Sequence, residues 1–281
     1  MMIAVTAVSG QLGGAIARNL VKTSNGETII GLARTPENAK GLGIEVRPGD
    51  YGQPEQLRAS LNGVDTVLLV SGMDAPDARI QQHRNVIEAA KAAGVKKIVY
   101  TSIQGVEEGT AFSPVVQSNR QTEADVRASG LAYAIGRNGI YIEPDVDYIE
   151  SYKAKGEIAN SADAGKCGYT TRSELAHAYA CLLTNDTFNG QTFNLWGTPI
   201  TQTELAGYLN SAFGASLTYR AMTPEDFVAD RVAELGDFIG PIIGGIYEGI
   251  HLGIYDEPSN FAEIAGRPHQ SWDDYFGSLT G

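Results

Sequence analysis

A short apolar run, Ile3 to Thr6, leads into Ala7-Val8-Ser9-Gly10-Gln11-Leu12-Gly13-Gly14, and a helical pattern follows directly. Glycine at Gly10 lets backbone N–H groups approach a pyrophosphate, whose charge the helix amino end favours, while Gly13 permits close packing of helix on strand. The first glycine of that fingerprint is absent: Ala7 stands where the tight turn normally has Gly, and its Cβ carries a cost if unusual dihedral angles are required. A Gly-rich turn without any ligand is the alternative, because short motifs also match by accident. Twenty-one residues after Gly13 the second strand ends at Arg34, where an NAD-preferring protein carries Asp or Glu to hold the ribose 2′-hydroxyl. Arg34 with Lys40 suits a 2′-phosphate, since guanidinium donates in fork geometry and ammonium adds a point charge. NADP(H) is therefore the expected cofactor; two solvated surface cations are the competing explanation. Asp50, in Gly49-Asp50-Tyr51 after the third strand, could accept from an adenine amino group or serve its own turn. Ser71-Gly72 after the fourth strand and Thr101-Ser102 after the fifth put small hydroxyls and open backbone at the same edge, where a nicotinamide can lie close.

Short-chain dehydrogenases move a proton with a Tyr whose phenol is acidified by a Lys four residues later. None of the 13 tyrosines has that lysine. The absence argues against alcohol dehydrogenase or sugar epimerase chemistry and leaves an acceptor that takes hydride readily. Such an acceptor develops oxyanion character, which hydrogen-bond donors stabilise in a water-poor cleft. Asn138 and Tyr141 are the candidate donors; satisfying backbone groups at a strand end is their other use. Arg137 pairs with a phosphate or carboxylate, or caps the sheet edge. Phe227, Phe238, Ile239, Ile242, Ile243, Ile246 and Tyr247 form a pocket wall, plain core or a homodimer surface.

The elements that must carry these residues are legible as short β-branched runs alternating with helical patterns. Strands are expected at Ile3–Thr6, Thr28–Ala33, Ile44–Arg47, Thr66–Val70, Lys97–Thr101 and Leu131–Ile135. Leu12, Ile16 and Leu20 mark one helix on the sheet, and Val86, Ile87, Ala90 and Ala93 mark another that Gly94 ends. Past about residue 140 helical start signals take over: Ser173, the Thr201 to Glu204 capping box, and Thr223-Pro224-Glu225-Asp226. Gln191–Leu195 reads as one more strand returning to the sheet. The fold class is thus α/β, a doubly wound parallel sheet of Rossmann type at 1–137, interleaved with a smaller, mostly helical C-terminal substrate or lid region at 138–281.

Length and charge agree with a folded enzyme. The 281 residues could make about two domains, or one sheet with two helical layers. With 21 basic against 33 acidic side chains the net charge is −12, which repels polyanions, and no basic stripe offsets it, so no nucleic-acid partner is expected. Four scattered histidines make no metal signature. The two cysteines, Cys167 and Cys181, and the lack of a leader-like amino terminus suggest a reducing, cytoplasmic setting. The stretch Phe238 to Tyr255 is too interrupted by glycines, and too polar with Glu248 and His251, to span a membrane.

Several of these motifs together resemble the NmrA-like, atypical short-chain dehydrogenase/reductases, the group that includes type 2 quinone oxidoreductases and triphenylmethane reductases. The resemblance spans nearly the whole chain and is carried by Ser9-Gly10-Gln11-Leu12-Gly13, Arg34, Gly49-Asp50-Tyr51-Gly52, Gln82-His83-Arg84-Asn85-Val86-Ile87, Ala89 to Lys96, Tyr100-Thr101-Ser102, Thr122-Glu123 and Arg137-Asn138-Gly139-Ile140-Tyr141. It implies an NADPH-binding Rossmann domain, a small domain closing over the nicotinamide, and two-electron reduction of quinones or similar conjugated, apolar or aromatic acceptors. On that pattern Ala7, Val8, Ser9, Gly10, Gln11 and Leu12 hold the phosphates, Arg34 the 2′-phosphate, and Ser71, Gly72 and Met73 the ribose region. Asn138, Gly139, Ile140 and Tyr141, on to Glu143, hold the nicotinamide and substrate. The chain departs from the family at Ala7, at Ala124 where many relatives have lysine, and at Asn119 where similar reductases have histidine. An NADP-sensing regulatory protein without catalysis, as some NmrA-like proteins are, is the alternative function.

Overall fold

The apolar runs of the first half become neighbouring strands. In a computed structural model that describes residues 1–280, they are β1 (Met2–Val5), β2 (Thr28–Ala33), β3 (Glu45–Pro48), β4 (Thr66–Val70), β5 (Lys97–Ile103) and β6 (Ala132–Asn138). β11 (Gln191–Leu195) returns beside β6, giving the order β11-β6-β5-β4-β1-β2-β3 with every pair parallel. The order reverses between β1 and β4, so a crevice opens at the carboxyl ends of those strands. β6 runs three residues beyond the expected Ile135, because Ser102 and Ile103 of β5 keep pairing with Arg137 and Asn138. That extension carries both residues into the sheet edge.

Helices cover both faces. α1 (Gln11–Thr23) and α7 (Arg172–Thr184) share one core, in which Ile16 and Leu20 meet Leu175, Tyr179 and Leu182. On the other face α2 (Pro54–Ser60), α3 (Pro76–Ala92) and α4 (Ser113–Ala128) bury Leu57, Val86 and Val126 against Ile30, Leu69 and Ile98. The start of α7 differs from expectation. Thr171, not Ser173, is its cap, its side chain accepting from the Glu174 amide at 3.0 Å. A cap must stand three residues before the amide it serves, and Thr171 alone has that spacing.

The remaining elements build a third core. β7 (Ile140–Tyr141) pairs with β10 (Tyr169–Thr170), β8 (Glu157–Asn160) with β13 (Thr218–Ala221), and β9 (Lys166–Cys167) with β12 (Ile200–Thr201). Around them lie α5 (Glu143–Asp147), α6 (Ile149–Lys155), α8 (Gln202–Phe213), α9 (Pro224–His251), α10 (Phe261–Ala265) and α11 (Trp272–Gly277). α8 opens on the Thr201–Glu204 capping box and α9 on a Thr223 cap, as the sequence implied. Gly236, at φ 81° and ψ 173°, breaks α9, and the second half folds back so closely that a Cβ on Gly240 would lie 2.6 Å from the Val232 Cα. Phe261 and Ile264 of α10 join the core of α1 and α7, so the chain crosses between the two regions more than once. No helix among the described residues is long and apolar enough to cross a membrane.

Candidate active site

The turn after β1 is shaped by contact rather than by glycine alone. Ala7 adopts φ +50°, a left-handed conformation that places its carbonyl beneath the helix start, where it accepts from the Gly10 amide at 2.9 Å. A Cβ on Gly13 would lie 2.5 Å from the Ala7 oxygen and 2.8 Å from that of Thr6, so α1 rests directly on the strand end. Val8 and Leu12 are buried under the turn, whereas Ser9, Gly10 and Gln11 are exposed. The α1 terminus has no side-chain cap and no acidic residue in its first turn. Its leading amides therefore point at solvent without an acceptor, a cradle that fits a diphosphate. Arg34 and Lys40 are exposed and form no ion pair or hydrogen bond among the described residues, so both are free for a 2′-phosphate. Asp50 Oδ1 accepts from the Gly52 amide at 2.8 Å, which fixes its own turn.

Beyond β4, the segment Ser71–Met73 is held from behind. The Ser71 amide donates to Thr101 Oγ1 at 2.9 Å and the Gly72 amide to His83 Nε2 at 2.9 Å. His83 Nδ1 lies 2.9 Å from Thr122 Oγ1, whose own proton goes to the Ser118 carbonyl, so the ring is neutral with its proton on Nδ1. Burial, with the nearby Arg79 charge, pushes its pKa down to about 3. Sequence reasoning counted this histidine among four that make no metal signature and within the Gln82–Ile87 family motif, but gave it no role; its place on the buried stripe of α3 was the signal for a structural one. Asn119 accepts from Ser71 Oγ at 3.2 Å and Tyr100 Oη at 2.6 Å, completing the support. Met73 stands out at the rim, 83% exposed.

Ser102 is turned away from the crevice. It is 2% exposed and donates to Glu123 Oε1 at 2.7 Å. Glu123 also receives Arg120 (2.9 Å), Arg127 (2.9 Å) and both arms of the Arg137 fork (2.8 and 2.7 Å). Burial would raise its carboxyl, but the Arg137 bonds and the Arg120 charge outweigh that and hold it at about 2. The open question over Arg137 thus resolves to a carboxylate partner.

On the opposite side of β6, Asn138 is 4% exposed and both of its polar atoms are engaged: Oδ1 accepts from Tyr179 Oη at 2.6 Å, and Nδ2 donates to Tyr141 Oη at 3.1 Å. Tyr141 keeps its own phenolic proton unassigned within the described chain. Its pKa is raised by burial, against the Asn138 bond and the charge of Arg172, whose guanidinium lies 4.9 Å from the ring centre. Gly139 is required by close approach, since a Cβ there would meet the Gly168 oxygen at 2.5 Å.

Tyr141 and Ile140 open onto a cavity of about 410 Å³. Phe227, Ile243, Ile246 and Tyr247 of the proposed apolar stripe line it, whereas Ile242 does not and Phe238 and Ile239 are exposed. Asp145, which sequence reasoning did not single out, lines the same space although it is 6% exposed. Tyr152 Oη donates to its Oδ1 at 2.8 Å, and burial, opposed by the Tyr152 and Tyr247 hydroxyls, raises its pKa to about 6. Both cysteines are free thiols, and no group of three or more His, Cys, Asp or Glu among the described residues could hold a metal ion.

Comparison with known proteins agrees with the fold. A family model described as NAD(P)H-binding matches residues 8–186. Quinone oxidoreductase 2 of Escherichia coli is 37% identical over 235 residues, covering 81% of this chain and 80% of the relative. The structure of the NADPH-dependent quinone oxidoreductase from Escherichia coli, complexed with NADPH, superposes over all of both chains with a TM-score of 0.91 and 31% identity. That of triphenylmethane reductase from Citrobacter sp., complexed with NADP(H), superposes over 99% of both with a TM-score of 0.90 and 32% identity.

Proposed function

The chain belongs to the NAD(P)H-binding, NmrA-like family, and on that premise we propose that it is an NADPH-dependent oxidoreductase reducing quinones or similar conjugated acceptors in the cavity beside Tyr141. NADPH, when bound, supplies the hydride. The chain's part is to hold and to receive. The α1 amides at Gln11 and Leu12 cap the diphosphate, Arg34 with Lys40 grips the 2′-phosphate, and Ser71–Met73 supports the ribose. The observation that carries the reading is continuity. The Asn138–Tyr141 hydrogen bond joins the last residue of β6, at the carboxyl edge of the sheet, to the wall of a cavity of mixed aromatic and polar lining large enough for a flat ring system.

Tyr141 accepts from Asn138, which leaves its own O–H free to donate to the carbonyl oxygen of an acceptor as negative charge develops there. Burial keeps the phenol protonated, so it serves as a donor and not as a base. A phenol with an uncommitted proton in the wall of a cavity favours catalysis over a purely sensing role. The unpaired cysteines support a cytoplasmic setting.

The test is NADPH consumption with menadione, together with calorimetric titration of cofactor. Arg34→Glu should lower kcat/KM for NADPH by about 10- to 100-fold while changing NADH turnover little, because a charge-assisted fork to phosphate contributes about 1.5–3 kcal/mol. No cofactor uptake, or no turnover with any quinone or triphenylmethane dye, would overturn the reading.

A further inference from the structure

We propose that Asp145 is the acid of this site: its carboxyl group, facing the same cavity as Tyr141, delivers the proton that turns a quinone into a hydroquinone after hydride has arrived. The proposal rests on the reading of the cavity as the acceptor pocket. Hydride addition to a quinone yields a hydroquinone monoanion, and the reaction is incomplete until one O–H bond forms. Tyr141 can steady the oxyanion but, with a raised pKa, holds its proton too tightly to give it up. Asp145 is the buried carboxyl in the cavity wall. In the step, the Asp145 O–H bond breaks, the proton forms an O–H bond on the hydroquinone oxygen, and the carboxylate is reprotonated from water at the cavity mouth. The two electrons come from NADPH.

The surroundings suit a group that alternates between acid and carboxylate. Tyr152 from α6 donates to Oδ1 at 2.8 Å, and the Tyr247 hydroxyl from α9 is a second partner. Cys167 from β9 and Tyr169 from β10 face it as neutral groups, both with pKa values raised by burial. Arg231 of α9 lines the same cavity but is bound to Asp230 and Glu234 and makes no ion pair with Asp145. On its own helix, Glu143 bonds the Arg172 amide, and Asp147 is exposed. Lys155 of α6 and Arg220 of β13 also line the cavity, Arg220 paired with Glu157 of β8, and neither forms an ion pair with Asp145, so no cation locks it as a carboxylate, whereas two phenols can solvate it once the proton has left. A pKa raised to about 6 keeps the proton available near neutrality.

Two acceptors separate this role from a structural one. A quinone needs a proton after hydride transfer; a cationic triarylmethane dye becomes neutral on taking hydride and needs none. Asp145→Asn should lose about 100-fold or more kcat with menadione relative to the dye, the usual scale for removing a general acid. Wild-type menadione reduction should fall with pH above about 6, a limb absent with the dye. Tyr152→Phe removes a bond that stabilises the carboxylate and should move the limb to higher pH by about half a unit or more, and Asp145→Glu should restore part of the lost rate. Apart from turnover, 13C NMR of aspartate-labelled protein should show a carboxyl titrating near pH 6 that is missing from Asp145→Asn. Equal losses with both acceptors, no loss with either, or no such resonance would overturn the proposal. Absence of turnover by the wild type with both acceptors would instead remove the reductase reading on which it stands.

Discussion

Glu123 and Asp145 are buried to nearly the same degree, 1% and 6% exposed, yet their protons behave oppositely. Burial raises both. Around Glu123 three guanidiniums reverse that and hold the group ionised. Around Asp145 the bonded partners are phenols, no cation is ion-paired with it, and burial prevails. The pair lies on two sides of one strand end, Glu123 bound to Arg137 of β6 and Asp145 one turn beyond Tyr141. The difference shows that the ion pairs a buried carboxyl makes, more than its depth, decide whether it is held ionised or keeps its proton.

The strongest way to break this contrast is Glu123→Gln. It would leave three arginines around a neutral amide, and urea unfolding should report a loss of about 3–5 kcal/mol, the scale for removing one partner of a buried ion cluster. A loss below about 1 kcal/mol would mean that the cluster fastens nothing. Next comes stability against pH. Asp145, raised from 3.8 to about 6, binds its proton more tightly when folded, so its contribution is complete below pH 3.8 and is lost as pH climbs through about 6. Glu123, lowered from 4.5 to about 2, contributes above pH 4.5 and loses that contribution as pH falls through about 2. Each is worth about 3 kcal/mol at 1.36 kcal/mol per unit. Urea midpoints for Asp145→Asn should thus stay flat between pH 4 and 7 where the wild type declines.

Two smaller substitutions sharpen the baseline. Ala7→Gly relieves a left-handed alanine and should raise stability by about 1 kcal/mol at every pH, whichever carboxyl is ionised. Arg127→Ala removes the most exposed arm of the cluster, 40% exposed, and should cost only about 0.5 kcal/mol, read as a small shift in denaturation midpoint.

The strand, glycine turn and helix at the amino end and most of the sheet were legible because their signals are local. Thr28–Ala33, Thr66–Val70 and Gln191–Leu195 have the extents expected of them. Ala7 stood out as a missing glycine, and the chain does adopt φ +50° there. Ser102 looked like a crevice hydroxyl, but the extended pairing of β5 with β6 turns it toward Glu123. Asp145 was invisible for a different reason. Its partners Tyr152, Cys167, Tyr169 and Tyr247 come from four separate elements, and nothing in the spacing of those residues announces that they meet.

The hydrogen-bonded line from Tyr179 through Asn138 to Tyr141 has one further consequence. Tyr179 sits in α7, which packs against α1, the helix that carries the glycine turn. The Tyr141 phenol is therefore gauged from the same two-helix block that carries the proposed diphosphate cradle. On the proposed reading both reactants would be registered to a single datum on one face of the sheet, so altering the packing of Leu20 against α7 would misalign the encounter without touching either binding surface.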